Sequence, residues 1–124
     1  MGQDMFRYSI VLVIALTGAL MAADAVAEAR KKVADKKYDE AIAQLESEHK
    51  SKPRAEVKKA LGEAYLAKAD SFMYNDALPP RTKYPTALRA YREVLQYDKD
   101  NKKAQQGIAT IEGIYKSMGR PVPR

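Results

Sequence analysis

Leu61-Gly62-Glu63-Ala64-Tyr65 and Tyr84-Pro85-Thr86-Ala87-Leu88-Arg89-Ala90-Tyr91 are the two stretches whose reading decides the fold. Around the first, Val57, Leu61, Ala64, Tyr65 and Phe72 fall on one side of a helical wheel. Around the second, Tyr84, Leu88, Tyr91, Val94 and Leu95 do the same. A helix cannot bury its own apolar stripe, so the spacing predicts two helices packed antiparallel between Ala55 and Tyr97. Gly62 and Ala64, set opposite Ala87 and Ala90, let the backbones approach while the tyrosines fill the remaining gap.

Working outward, Lys37-Tyr38-Asp39-Glu40-Ala41-Ile42 is echoed by Lys83-Tyr84-Pro85-Thr86-Ala87-Leu88, an internal repeat in register. These residues resemble the tetratricopeptide repeats, whose pattern runs L-G-x2-Y on one helix, A-x3-F on the next and then Pro. Leu61, Gly62 and Tyr65 match its first part, and Ala87 and Tyr91 match the second with Tyr in place of Phe. In the earlier copy Ala41, Leu45 and Pro53 carry the spacing. The chain departs from the pattern at Lys99, where the closing Pro is missing, and in the long link between Tyr65 and Ala87. The resemblance implies an all-α fold of about two and a half helical hairpins that binds partner proteins on a concave face. That face would be lined by Glu56, Lys59, Glu63, Tyr65 or its neighbours, and Gln105.

The first helix of the central pair is expected to run on to Met73, about 30 Å for a 20-residue helix, and to overhang its partner. Pro79 and Pro80 lack amide donors and bias their predecessors to extended geometry, so Asn75 to Lys83 reads as a stiff loop. Met73, Tyr74 and Leu78, with Phe72, then either cover the end of the core or form an exposed partner contact. A last helix follows from Ala104, Ile108, Ile111, Tyr115 and Met118, with Gly107 and Gly113 as weak points and Gly119 as its stop. It reads as a cap, and residues 120–124 as an extended tail free to dock on another subunit.

Residues 1–27 are set apart from the repeat domain, 28–119, by an uncharged run from Ser9 to Ala23. Two readings stand. A signal peptide would have Arg7 ahead of the apolar core and Ala23-Asp24-Ala25 or Ala25-Val26-Ala27 as its cleavage site. An uncleaved anchor would extend over residues 8–27 and pass straight into a helix from Val26 to Asp35, needed to pair with Tyr38 onward. In that case Arg30 to Lys37 would lie at a membrane surface.

With no cysteine, disulfides, thiolate metal sites and haem attachment through C-x-x-C-H are excluded. The net charge of +6 comes from helices on which the signs alternate, as on solvated faces. There is no nucleic-acid module and the tyrosines lie on apolar stripes, so nucleic acid is not an expected partner. The single histidine, His49, sits in a polar helix end, and no phosphate loop, G-x-S-x-G or H-E-x-x-H motif occurs. Catalytic, cofactor and metal sites are therefore not expected. The sequence reads as a non-enzymatic interaction or scaffold protein, exported to the periplasm or membrane-anchored, binding other proteins or its own copies. The alternatives are an accessory subunit of a membrane-bound or filamentous complex and, from another class, a small-molecule-binding or catalytic module. Apolar edges at Val26, Val33 and Ile42, and at Ile111, Ile114 and Met118, are expected to call for a covering partner.

Overall fold

The central pair forms as its periodicity requires. In the computed structural model, which describes residues 20–124, the described regular structure is all helical. It comprises α1 over 20–34, α2 (Tyr38–Ser51), α3 (Ala55–Met73), α4 (Pro80–Tyr97) and α5 (Lys102–Ser117). Gly62 lies beside Tyr97 and Asp98, while Tyr91 donates its hydroxyl to Asp70 at 2.6 Å. Numbers rising along α3 thus meet numbers falling along α4, and the two run antiparallel. In the same way Glu46 and Asp39 of α2 meet Tyr65 and Lys68 of α3. Arg30 of α1 reaches Glu63 of α3 in the parallel sense. Successive helices therefore alternate in direction, with α1 beside α3.

α3 is buried on two sides. Val57, Ala60, Leu61 and Ala64 join Ala22, Val26, Ala29, Ala41, Ile42 and Leu45 in a first core cluster. Ala69 joins Ala87, Leu88, Ala90, Tyr91, Val94, Ala104 and Ile111 in a second. Tyr65 packs against both. Each buried Leu, Ile or Val side chain contributes about 1.5–3 kcal/mol, so these clusters hold the helices together where intrinsic propensity would not. The repeat-signature positions Ala41, Leu61, Gly62, Ala87 and Tyr91 are all buried, Tyr38, Tyr65 and Tyr84 half-buried, and Pro53 exposed.

Three expectations are corrected. The prolines do not keep residues 75–83 out of a helix: Pro80 is the first residue of α4, where its missing N–H has no intrahelical acceptor to serve. The Pro79 carbonyl takes the Thr82 and Lys83 amides at 3.0 Å each. Pro85 lies inside α4 and leaves the carbonyl of exposed Arg81 to solvent. The link shrinks to residues 74–79. Second, the tail does not reach away: Val122 packs on the second cluster and Arg92 Nη1 donates to the Pro123 carbonyl at 2.9 Å, so the tail covers its own chain. Third, the expected open edges are largely closed, since Val26, Ile42 and Ile111 are buried and Val33 and Ile114 half-buried, while Met118 stays exposed.

Both free helix ends close alike. At α5, Arg120 N–H bonds the Tyr115 carbonyl and Gly119 N–H the Lys116 carbonyl, with Gly119 at φ 66°. At α1, Lys37 and Lys36 bond the Lys32 and Val33 carbonyls, and Lys36 takes the left-handed conformation, φ 62°, without being glycine. Among the described residues no helix is long and apolar enough to cross a membrane. The part of the apolar run before Leu20 lies outside them.

Candidate functional site

One row of α3 side chains faces neither core cluster's centre. Lys59, Glu63, Leu66, Asp70, Met73 and Tyr74 recur at intervals of three and four, so they share a face along the helix. At its N-terminal half, Ala55, Lys58, Lys59, Gly62, Glu63 and Leu66 line a cleft of about 520 Å³ closed by Tyr97, Asp98 and Asn101. At its C-terminal half, Asp70, Met73 and Tyr74 face Lys103, Gln106, Gly107 and Thr110 of α5 across a cleft of about 400 Å³, with Tyr91 at its base. The two clefts share no lining residue but follow one another along the same face of α3, a groove in two parts.

Glycine shapes both halves. A Cβ on Gly62 would lie 3.7 Å from Asp98 Cβ and 3.9 Å from Tyr97 Cβ, ordinary contact distances. Gly62→Ala is therefore expected to raise stability by up to about 1 kcal/mol through helix propensity. Gly62→Leu is expected to lower it by about 1–3 kcal/mol, because the longer chain must displace Tyr97. Urea unfolding of the two variants reads the sign, and a neutral Leu variant would place Gly62 outside the packed interface.

The structure sorts the sequence-predicted residues into different places. Lys59, Glu63, Met73 and Tyr74 lie in the groove, with Glu63 held by Arg30 at 3.4 Å and Tyr74 74% exposed. Glu56 is exposed on the first turn of α3 and lines neither cleft. Gln105 turns away to donate to the Lys99 carbonyl at 3.1 Å, and its neighbour Gln106 takes the groove position. Leu78 lines a separate cleft of about 710 Å³ at the α3–α4 turn, with Lys36, Tyr38, Phe72 and Tyr74. Tyr65 is not on this face: it stacks on Tyr97 with centroids 5.9 Å apart and donates to Glu46 of α2. The groove also takes in Asp70, Lys103, Gln106, Gly107 and Thr110, none of which the sequence reading places there. The available signal was a glycine in the middle of an otherwise good helix, which commonly marks close approach.

His49 packs edge-on against Tyr97, centroids 5.8 Å apart, and its Nδ1 is buried without a hydrogen-bond partner among the described residues. Burial, reinforced by the Glu46 carboxylate that accepts its hydrogen bond, raises the Tyr65 phenol above its ordinary 10.0. Burial and Asp70 do the same for Tyr91, and burial, then Glu46 and Glu93, for Tyr97. The neutral phenol is thus favoured in the folded state. Its contribution to stability is complete below pH about 10 and is lost as pH rises through the higher folded values. The urea midpoint is expected to hold level from about pH 7 to 9 and to fall above about 10, with Tyr65→Phe removing part of the fall. A midpoint that rises there would contradict the assignment.

Among the described residues no group of three or more His, Cys, Asp or Glu side chains is placed to hold a metal ion. What the groove offers is opposite charges spaced along an apolar floor, with Lys59 and Lys103 near Glu63 and Asp70 around Leu66 and Met73. The fold and this face define an all-helical chain of antiparallel neighbours with two side-chain-lined clefts along one face of α3, the second of them facing α5. No family model matches the chain, and no curated protein or solved structure matches it either.

Proposed function

We propose that this chain is a tetratricopeptide-like helical-hairpin protein that presents the α3–α5 groove to a segment of another protein at a membrane, and catalyses nothing. The observation that carries the reading is the α3 row, in which charged and apolar side chains alternate along one groove rather than converging on one point. A pocket built for a small molecule concentrates a few polar groups inside an enclosed apolar cavity. Here the polar groups are strung out over several helical turns, the arrangement that suits an extended or helical polypeptide.

The test places a photo-reactive side chain at Lys59, Tyr74 or Gln106, with Glu93 and Glu40 as controls, in the full chain within its native membranes. Cross-links to a single protein from the groove positions only are expected. A product of twice the chain's own mass identifies a second copy as the partner. Equal labelling from the control positions, or none from the groove, overturns the reading.

A further inference from the structure

The alternation of helix directions brings three sequence-distant pieces to one end of the molecule: the start of α1, the α2–α3 turn and the α4–α5 turn. Leu20 and Met21 stand there 60% and 64% exposed. They lie within the uncharged run that extends from Ser9 to Ala23. The α2–α3 turn carries Lys50, Lys52 and Arg54, and Lys99 and Lys102 flank the α4–α5 junction. None of these five cations forms an ion pair with a described residue. With Lys58, Lys59 and Lys103 they outnumber the acids of the same end, Asp24, Glu48, Glu56, Asp98 and Asp100, and Asp98 is already engaged by Asn101 at 3.1 Å.

We propose that this end, with Leu20 and Met21 at its α1 edge and the basic turns beside them, is a docking face for an anionic lipid bilayer. The apolar side chains enter the acyl boundary, and the cations beside them meet lipid phosphates, each adding attraction that fades within a Debye length. The geometry allows little slack. Ala22 is fully buried in the first core cluster, so the run available to lipid closes at Met21. The domain is therefore drawn onto the headgroups rather than tethered above them. Lys36 and Lys37, expected near the membrane because they follow the apolar run in sequence, sit instead at the far end of α1, about 20 Å away along the helix.

Retention of the segment is part of the inference. Cleavage after Ala25 would cut inside α1 and strip Ala22 and Ala25 from the core, and cleavage after Ala27 would remove Val26 as well. The inference rests on the membrane-held half of the proposed function, and of the groove it uses only Lys58, Lys59 and Lys103, which lie at the end nearest this face.

The chain has no cysteine, so single labels can be placed on the full-length protein at Leu20→Cys, Ser51→Cys and, at the far end, Ala77→Cys. Each is reconstituted with phosphatidylcholine vesicles, with or without phosphatidylglycerol, carrying a quencher in the acyl chains or on the headgroups. The Leu20 label is expected to be quenched from the acyl chains. The Ser51 label is expected to be quenched from the headgroups several-fold more than the Ala77 label, and more so with phosphatidylglycerol present. Lys52→Glu with Lys99→Glu is expected to abolish that lipid dependence. Equal quenching at Ser51 and Ala77 with the protein still bound to vesicles overturns the docking face but leaves membrane attachment standing. An intact mass showing loss of the first 25 or 27 residues in cells overturns both.

Discussion

Tyr91→Ala is expected to lower the unfolding free energy by about 3–5 kcal/mol, the range for truncating a buried aromatic. Tyr91 is 1% exposed and the largest fully buried side chain of the described residues. Its ring lies against Gly107 of α5 and its hydroxyl reaches Asp70 of α3 at 2.6 Å, so one side chain from α4 joins three helices. Truncation leaves a cavity and an Asp70 carboxylate without its donor. Small domains hold only about 5–15 kcal/mol in total, so the loss is a large share of stability. Tyr91→Phe separates the two effects: it keeps the ring and removes the hydrogen bond, with an expected loss of about 1–3 kcal/mol. Denaturant unfolding read by circular dichroism decides, and a Tyr91→Ala variant within about 1 kcal/mol of the parent would mean that α5 is not held through this ring.

How far the sequence shows this follows from what each signal depends on. α3 and α5 were legible because a 3.6-residue period is a local property, and the Ala55 and Met73 limits of α3 follow from it. The start of α4 was not, because Pro79-Pro80 is both a breaker and a favoured helix start, and only the chain after it tells which applies. Glu63, Lys59, Met73 and Tyr74 could be placed on an exposed face from spacing along one helix. Gln106, Lys103 and Thr110 could not, because their place depends on the rotation of α5 about its axis. That rotation is set by Gly107 meeting Tyr91, a contact between residues far apart in sequence. The repeat resemblance puts Tyr65 or its neighbours on the concave face. α3 is apolar on two sides, however, and Tyr65 belongs to the side that meets α2 and Tyr97. The basic end face has the same origin: Lys52 and Lys99 come to the same end of the molecule as Leu20 only once the helices alternate in direction.

Gly107→Ala is expected to destabilise by about 1–3 kcal/mol, although alanine is the better helix former by about 1 kcal/mol. A Cβ at this position would fall 2.5 Å from Tyr91 Cε2 and 2.6 Å from Cζ, closer than packed carbons come. The ring cannot swing clear, because it is enclosed by the second core cluster and pinned through its hydroxyl to Asp70. α5 must then lift from α4, loosening Ala104 and Ile111 along with it. Gly113, six residues further along the same helix, provides the contrast: nothing lies within 4 Å of its added Cβ, so Gly113→Ala is expected to stabilise by about 0.5–1 kcal/mol. Combining Gly107→Ala with Tyr91→Ala completes the argument. Once the ring is gone the methyl has room, and the same Gly107→Ala change becomes stabilising by up to about 1 kcal/mol. The double-mutant cycle should therefore return a coupling whose sign opposes the single-site loss, within the range of about 0.5–3 kcal/mol seen for residues in contact. Additive effects, or a Gly107→Ala variant as stable as Gly113→Ala, would show that α4 and α5 do not meet at this glycine.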